Sequence, residues 1–130
     1  MQAEQKVTES EAGDREAITK TIEAYVAGGK SGKSADMKPA FHSGATMFGY
    51  VEDRLLGGPI QNLFEWNDKN GPATELQSRI ASIDIEGTIA SVRLELDNWT
   101  GHKFTDMFTL LKTDDGWKII SKVFYLHPES

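Results

Sequence analysis

The chain contains no cysteine. That excludes disulfides, thiolate metal sites and a cysteine nucleophile. No apolar run approaches the ~18–20 residues of a membrane-spanning helix. No cluster of Lys and Arg forms a basic face, and the formal net charge is −6, so neither nucleic acid nor membrane is an expected partner. Lys30 and Lys33 stand close together in a glycine-rich turn and read as solvated loop charges. P-loops, GxGxxG fingerprints and serine-nucleophile motifs are absent, and no His/Asp/Glu spacing resembles a metal site such as HExxH. Neither a metal nor a cofactor is expected. The polar start MQAEQKVTESEAGD does not read as a signal peptide, which makes the cytoplasm the default location.

What is present suits one packed domain. The 130 residues are 38% hydrophobic, and at this size roughly two-thirds of the unfolded surface can be buried without covalent staples. Residues 1–12 are poor in apolar side chains and are expected to be a flexible tail, with a single domain over residues 13–130. A helix is predicted from an Asp14 cap to Ala27, with Ala17, Ile18, Ile22, Tyr25 and Val26 on one face and Gly28-Gly29 as its stop. Ser34 or Asp36 is predicted to cap a second helix running to His42, shortened by Pro39. A strand over Gly44–Val51, a brief return at Leu55-Leu56 and a break at Gly57-Gly58-Pro59 follow. A third helix over Pro59–Asp68 places Ile60, Leu63, Phe64 and Asn67 together.

From Glu75 the period changes to two. Four strands are predicted: Leu76–Glu86, Thr88–Trp99, Lys103–Thr113 and Trp117–Leu126. Helices first and strands later give an α+β fold, a cone-like curved antiparallel sheet wrapped over three N-terminal helices. The last two strands form a hairpin about Asp114-Asp115-Gly116. With Gly116 as a bulged turn residue, Thr113 should oppose Trp117, Leu111 should oppose Ile119, and Asp106 should oppose Phe124. Lys122 then becomes a diagonal neighbour of Asp106. That register puts Phe104, Phe108, Leu110, Ile120 and Phe124 on one face. Met107, Leu111, Trp117, Ile119 and Val123 fall on the other. A sheet with one solvated face has no need of two apolar faces, so one should cover the helices and a pocket and the other should meet a second subunit.

The element order, the AYVAG end of the first helix at Ala24–Gly28, Phe41-His42 before Ala45-Thr46, and FTDMFTLLKTDDGWKIISKVF at Phe104–Phe124 resemble the nuclear transport factor 2-like superfamily. Within it the SnoaL-like and putative lumazine-binding domains are the most similar branches. The resemblance covers nearly the whole chain after the tail. It implies a cone-like domain enclosing a pocket, and dimers through the outer sheet face in many members. In ketosteroid isomerase, a family member, a tyrosine at the position of Tyr25 donates to a developing oxyanion. The isomerase's base aspartate corresponds to Gly49, a departure that removes the proton-transferring group, so steroid isomerase activity is not inferred.

Candidate site residues follow from side-chain chemistry. Tyr25 is either an oxyanion donor or a core phenol with a local partner. His42 is either an acid/base or a helix-terminal cap. Asp106, a charge inside an apolar strand, is either a pocket acid or the partner of Lys122. Phe41, Tyr50, Phe64, Trp66, Trp99 and Lys122 are the expected ligand-contacting side chains. The function expected is binding of a small apolar or aromatic molecule in an enclosed, largely apolar pocket. The alternative is an isomerase, dehydratase or cyclase using Tyr25, His42 and Asp106. A homodimer is the expected assembly.

Overall fold

The computed structural model describes residues 9–128. Helix α1 spans Glu9–Ser31, so the expected tail lies outside the described residues up to residue 8, and residues 9–12 are helical. Ile18, Ile22, Tyr25 and Val26 are buried, one stripe at helical spacing.

Gly28-Gly29 does not end this helix. Its stop is Gly32, at φ +73, whose N–H donates to the Gly28 carbonyl at 3.0 Å, a left-handed cap. The two earlier glycines serve close approach instead. A Cβ on Gly28 would lie 2.5 Å from Met37 Cβ and 2.9 Å from the Met37 backbone nitrogen, and one on Gly29 would lie 2.8 Å from the Trp99 indole. Gly28→Ala sets two effects against each other. Helix propensity favours alanine by about 1 kcal/mol, whereas overpacking costs about 1–3 kcal/mol. The backbone nitrogen of Met37 cannot swing aside, so a net loss of stability is expected in urea unfolding. A variant more stable than the parent would show that the contact yields freely.

Helix α2 is a single turn, Ser34–Met37, followed by a 3-10 turn at Lys38–Ala40 with Pro39 in its first positions. Proline lacks an N–H and fits there but not further into a helix. The chain is therefore extended again by Phe41, and His42 lies on a strand rather than at a helix end. Asp68 anchors the turn by accepting from the Ser34 N–H at 2.7 Å and the Ser34 hydroxyl at 2.9 Å. Those two bonds hold its carboxyl below the usual carboxylate range.

The strands are β1 Phe41–Val51, β2 Arg54–Pro59, β3 Gln77–Glu86, β4 Ile89–Trp99, β5 His102–Thr113 and β6 Gly116–Leu126, with α3 at Gln61–Asn70 between β2 and β3. They form one sheet ordered β2-β1-β6-β5-β4-β3. The β1–β6 pair is parallel, and every other pair is antiparallel. This is the expected α+β cone, three helices with an unclosed, curved sheet, except that the parallel β1–β6 pair makes the sheet mixed instead of wholly antiparallel. Gly57-Gly58-Pro59 lies within β2 rather than breaking the chain. A Cβ on Gly57 would lie 2.1 Å from Phe48, so glycine there leaves room for the ring on the neighbouring strand. Leu63, Phe64 and Asn67 are buried from α3, and Asn67 Nδ2 donates to the Gly28 carbonyl at 3.0 Å, tying α3 to α1.

The hairpin register differs from the expected one near its turn. Thr113 opposes Gly116, Lys112 opposes Trp117 and Leu110 opposes Ile119, while an irregularity follows at Ile120. The extra residue is thus absorbed in mid-strand, not at the glycine. A one-residue offset exchanges the faces. Trp117 and Ile119 therefore join Phe108 and Leu110 in the core, instead of facing outward with Met107 and Leu111. Beyond the bulge the expected pairing holds: Asp106 opposes Phe124, and Lys122 opposes Phe108.

Candidate functional site

Past the bulge at Ile120, Lys122 lies on the inner face, beside Asp106 on β5. Both are buried, with 4% and 0% of their surface exposed. Lys122 Nζ lies 3.9 Å from Asp106 Oδ1, too far for a hydrogen bond. The other oxygen is held tightly: the Tyr25 hydroxyl donates to Asp106 Oδ2 at 2.7 Å. Oδ1 has no hydrogen-bond partner among the described residues. Lys122 Nζ also stands over the Phe124 ring, 4.4 Å from its centroid, a cation–π distance.

The electrostatics follow from burial. Desolvation raises the Asp106 pKa above its ordinary 3.8, opposed by the Lys122 charge and the Tyr25 hydrogen bond. Desolvation lowers the Lys122 pKa below 10.5, opposed by Asp106. Tyr25 is pushed well above 10.0 by burial first, then by the adjacent carboxylate charge and its hydrogen bond. Burial drives acid and amine toward their neutral forms, the condition under which a proton passes easily between them.

A cavity of ≈ 770 Å³ opens on the Lys122 side. Met47, Val51, Leu56, Leu63, Trp66, Phe104, Phe124 and Leu126 supply its apolar lining. Arg54, Glu65, Lys69 and His102 add polar groups, and Lys122 is the buried charge in its wall. Tyr25 and Asp106 do not line it; they stand behind Lys122. Trp66 lines it directly. Trp99 is buried behind, its ring 5.8 Å from Trp66 and 5.6 Å from Tyr25.

The other expected residues lie elsewhere. His42 is exposed, and its Nδ1 accepts from the Gly44 N–H at 2.9 Å. That bond requires an unprotonated Nδ1, leaving the proton of a neutral ring on Nε2. With Phe41, Phe64 and Lys38 it borders a second hollow of ≈ 500 Å³, apart from the Asp106 pair. Tyr50 is 60% exposed on the outer sheet face and lines neither hollow. Tyr25, Asp106 and Lys122 therefore come together, whereas His42 and Tyr50 do not join them.

Gly49 has a packing reason of its own: a Cβ there would lie 2.6 Å from the Phe124 ring. That ring fills the space an aspartate at this position would need. Sequence reasoning placed Phe104 and Phe124 on the Asp106 face but did not count them among the ligand contacts. His102, half-buried at the start of β5, lies at the cavity's edge and was not among the expected site residues. The signal for all three was their place on the Asp106–Lys122 wall.

Comparisons with known proteins agree with this architecture. Residues 13–125 match the family described as Putative lumazine-binding. An NTF2-like protein from Methylobacillus flagellatus KT superposes with a TM-score of 0.87 at 48% identity, over 89% of this chain and 94% of that one. One from Shewanella baltica OS155 gives 0.86 at 43% identity, over 91% and 97%. The aldolase FrzH of Cladobotryum sp. is 31% identical over 114 residues, 87% of this chain and 91% of its own. Among the described residues no helix is long and apolar enough to cross a membrane.

Proposed function

The chain belongs to the Putative lumazine-binding family of NTF2-like domains, and on that premise we propose that its larger cavity binds a small, largely apolar or aromatic molecule presenting an acceptor oxygen to Lys122. The observation that carries this reading is Lys122 Nζ: a buried ammonium in the wall of an apolar cavity, without a hydrogen bond among the described residues. Ligand sites of this type combine an apolar lining with a few placed polar groups. The family's description supports a heteroaromatic ligand. Trp66 stands in the cavity wall and supplies the readout. Lumazine and 2-acetonaphthone are expected to quench its fluorescence saturably. Lys122→Met should weaken the carbonyl ligand about tenfold, the value of roughly one charge-assisted hydrogen bond, and leave naphthalene unaffected. If neither compound saturates, the cavity does not hold this class of molecule.

A second reading is enzymatic: proton transfer on the bound carbonyl compound, in an isomerase, dehydratase or cyclase. It is favoured by the Asp106–Lys122 pair, whose members burial drives toward a shared proton, and by the name of the relative FrzH, an aldolase. In this reading Lys122 touches the substrate, Asp106 holds the proton, and Tyr25 positions Asp106. His42 would act only on a molecule reaching the second hollow.

We also assign the outer sheet face to a second copy of the chain. Phe48, Tyr50, Met107, Val123 and Tyr125 are exposed there. They are neighbours in register across β1, β6 and β5: Phe48 beside Val123, Tyr50 beside Tyr125, and Met107 opposite Val123. A patch of contiguous large apolar side chains is uncommon on a monomer. Sedimentation should give a dimer that Val123→Lys and Tyr125→Glu dissociate; a parent chain that stays monomeric at high concentration would count against it.

A further inference from the structure

Lys122 is the only buried lysine among the described residues, and its surroundings suit a nucleophile better than a fixed ion pair. An ion pair kept for stability normally closes to about 2.7–2.9 Å, yet here the contact is 3.9 Å. Tyr25 fixes Asp106 by Oδ2 alone, leaving Oδ1 unbonded on the side of the amine. The Phe124 ring supports the nitrogen from one side. Exposed lysines are held protonated by water, whereas a lysine desolvated in an apolar pocket can present a lone pair near neutral pH.

We propose that Lys122 captures carbonyl compounds covalently, its Nζ condensing with an aldehyde or ketone in the cavity to form a hydrolysable protonated imine. This rests on the reading of that cavity as a small-molecule site. The ammonium first passes a proton to Asp106 Oδ1, the 3.9 Å gap closing as the two side chains approach. The free amine lone pair then forms the N–C bond at the carbonyl carbon, and the C=O π pair moves to oxygen. A proton shift from nitrogen to that oxygen gives the neutral carbinolamine. Asp106, behind Lys122, returns its proton to the carbinolamine hydroxyl through an intervening water, and the C–O bond breaks with loss of water. One ammonium and one carbonyl thereby give one protonated imine and one water, and Asp106 ends as the carboxylate beside the new cation. Phe124 offers its ring face to the same cation. Hydrolysis reverses each step, and no redox partner is required.

The test uses the full chain with 2-naphthaldehyde and sodium cyanoborohydride at pH 7, followed by peptide mapping. The hydride reduces any imine to a stable naphthylmethyl amine. Lys122 should be labelled at least about tenfold faster than the exposed Lys20 and Lys30, reflecting its larger neutral fraction. Within the wild-type chain the surface lysines are the reference, so the comparison does not depend on a variant folding. Lys122→Arg, which keeps the charge but cannot form the imine, should lose the fast label while exposed sites react as before. In parallel, 2-naphthalenemethanol, which cannot condense, is titrated against Trp66 fluorescence. If the alcohol binds but Lys122 is labelled no faster than Lys20, the imine is overturned and the binding site stands. If the alcohol does not bind and Lys122 stays unlabelled, both readings are overturned.

Discussion

Asp106→Asn is expected to destabilise the protein by about 3–5 kcal/mol, since removing one partner of a buried ion pair leaves the other charge uncompensated. The substitution keeps the side chain's size, so little of the loss comes from a void. It leaves the Lys122 ammonium without its counter-charge and replaces the carboxylate that accepts from Tyr25. Urea unfolding at neutral pH gives the magnitude. The triple variant Tyr25→Phe/Asp106→Leu/Lys122→Met removes the three polar groups of this cluster together and should cost less than Asp106→Asn alone. If the triple is the worse of the two, the cluster is a net source of stability and not a polar site retained for chemistry.

The same cluster predicts the pH dependence. Asp106 is a carboxyl with a raised pKa, so the folded state binds its proton more readily than the unfolded state does. Stability attributable to it falls as pH rises from 3.8 toward the higher folded value. Lys122 has a lowered pKa, so the unfolded state holds its proton more tightly. Stability attributable to it rises as pH climbs through the folded value toward 10.5. Both slopes should vanish in the triple variant, and unfolding curves at stepped pH would reveal them if they persist.

Trp99→Ala should also cost about 3–5 kcal/mol, the range for deleting a large buried aromatic. Trp99 is nearly inaccessible and packs on Tyr25, Trp66 and Phe104, with Gly29 of α1 against its indole. Trp99→Phe should be much milder, because the indole N–H has no partner among the described residues to lose. The pair of variants separates two roles that the sequence merged. Trp66→Ala is expected to lower ligand affinity, whereas Trp99→Phe should leave it unchanged. A fall in affinity for Trp99→Phe as large as that for Trp66→Ala would put Trp99 in contact with the ligand.

The sequence by itself determined the order of elements, the change from helical to strand periodicity near Glu75, the core stripe of α1 and the two-faced hairpin. These features are repeated locally, every two or every three to four residues, so neighbouring side chains report them. It also paired Asp106 with Lys122 across the hairpin and supplied Tyr25 as a separate candidate. Only the tertiary structure decided that Tyr25 meets the pair. Tyr25 and Asp106 are 81 positions apart, and their bond depends on how α1 lies across the sheet. The bulge shows the same limit. Glycine at 116 made the turn the obvious place for the extra residue, yet the chain takes it up at Ile120. That choice buries Trp117 and Ile119 on the face that Lys122 already occupies, a gain that no local preference measures. Gly28 and Gly29 read as a helix stop because glycine usually ends helices, whereas their function is to admit Met37 and Trp99. Local pattern fixed which elements form, and long-range packing fixed which side chains the site contains.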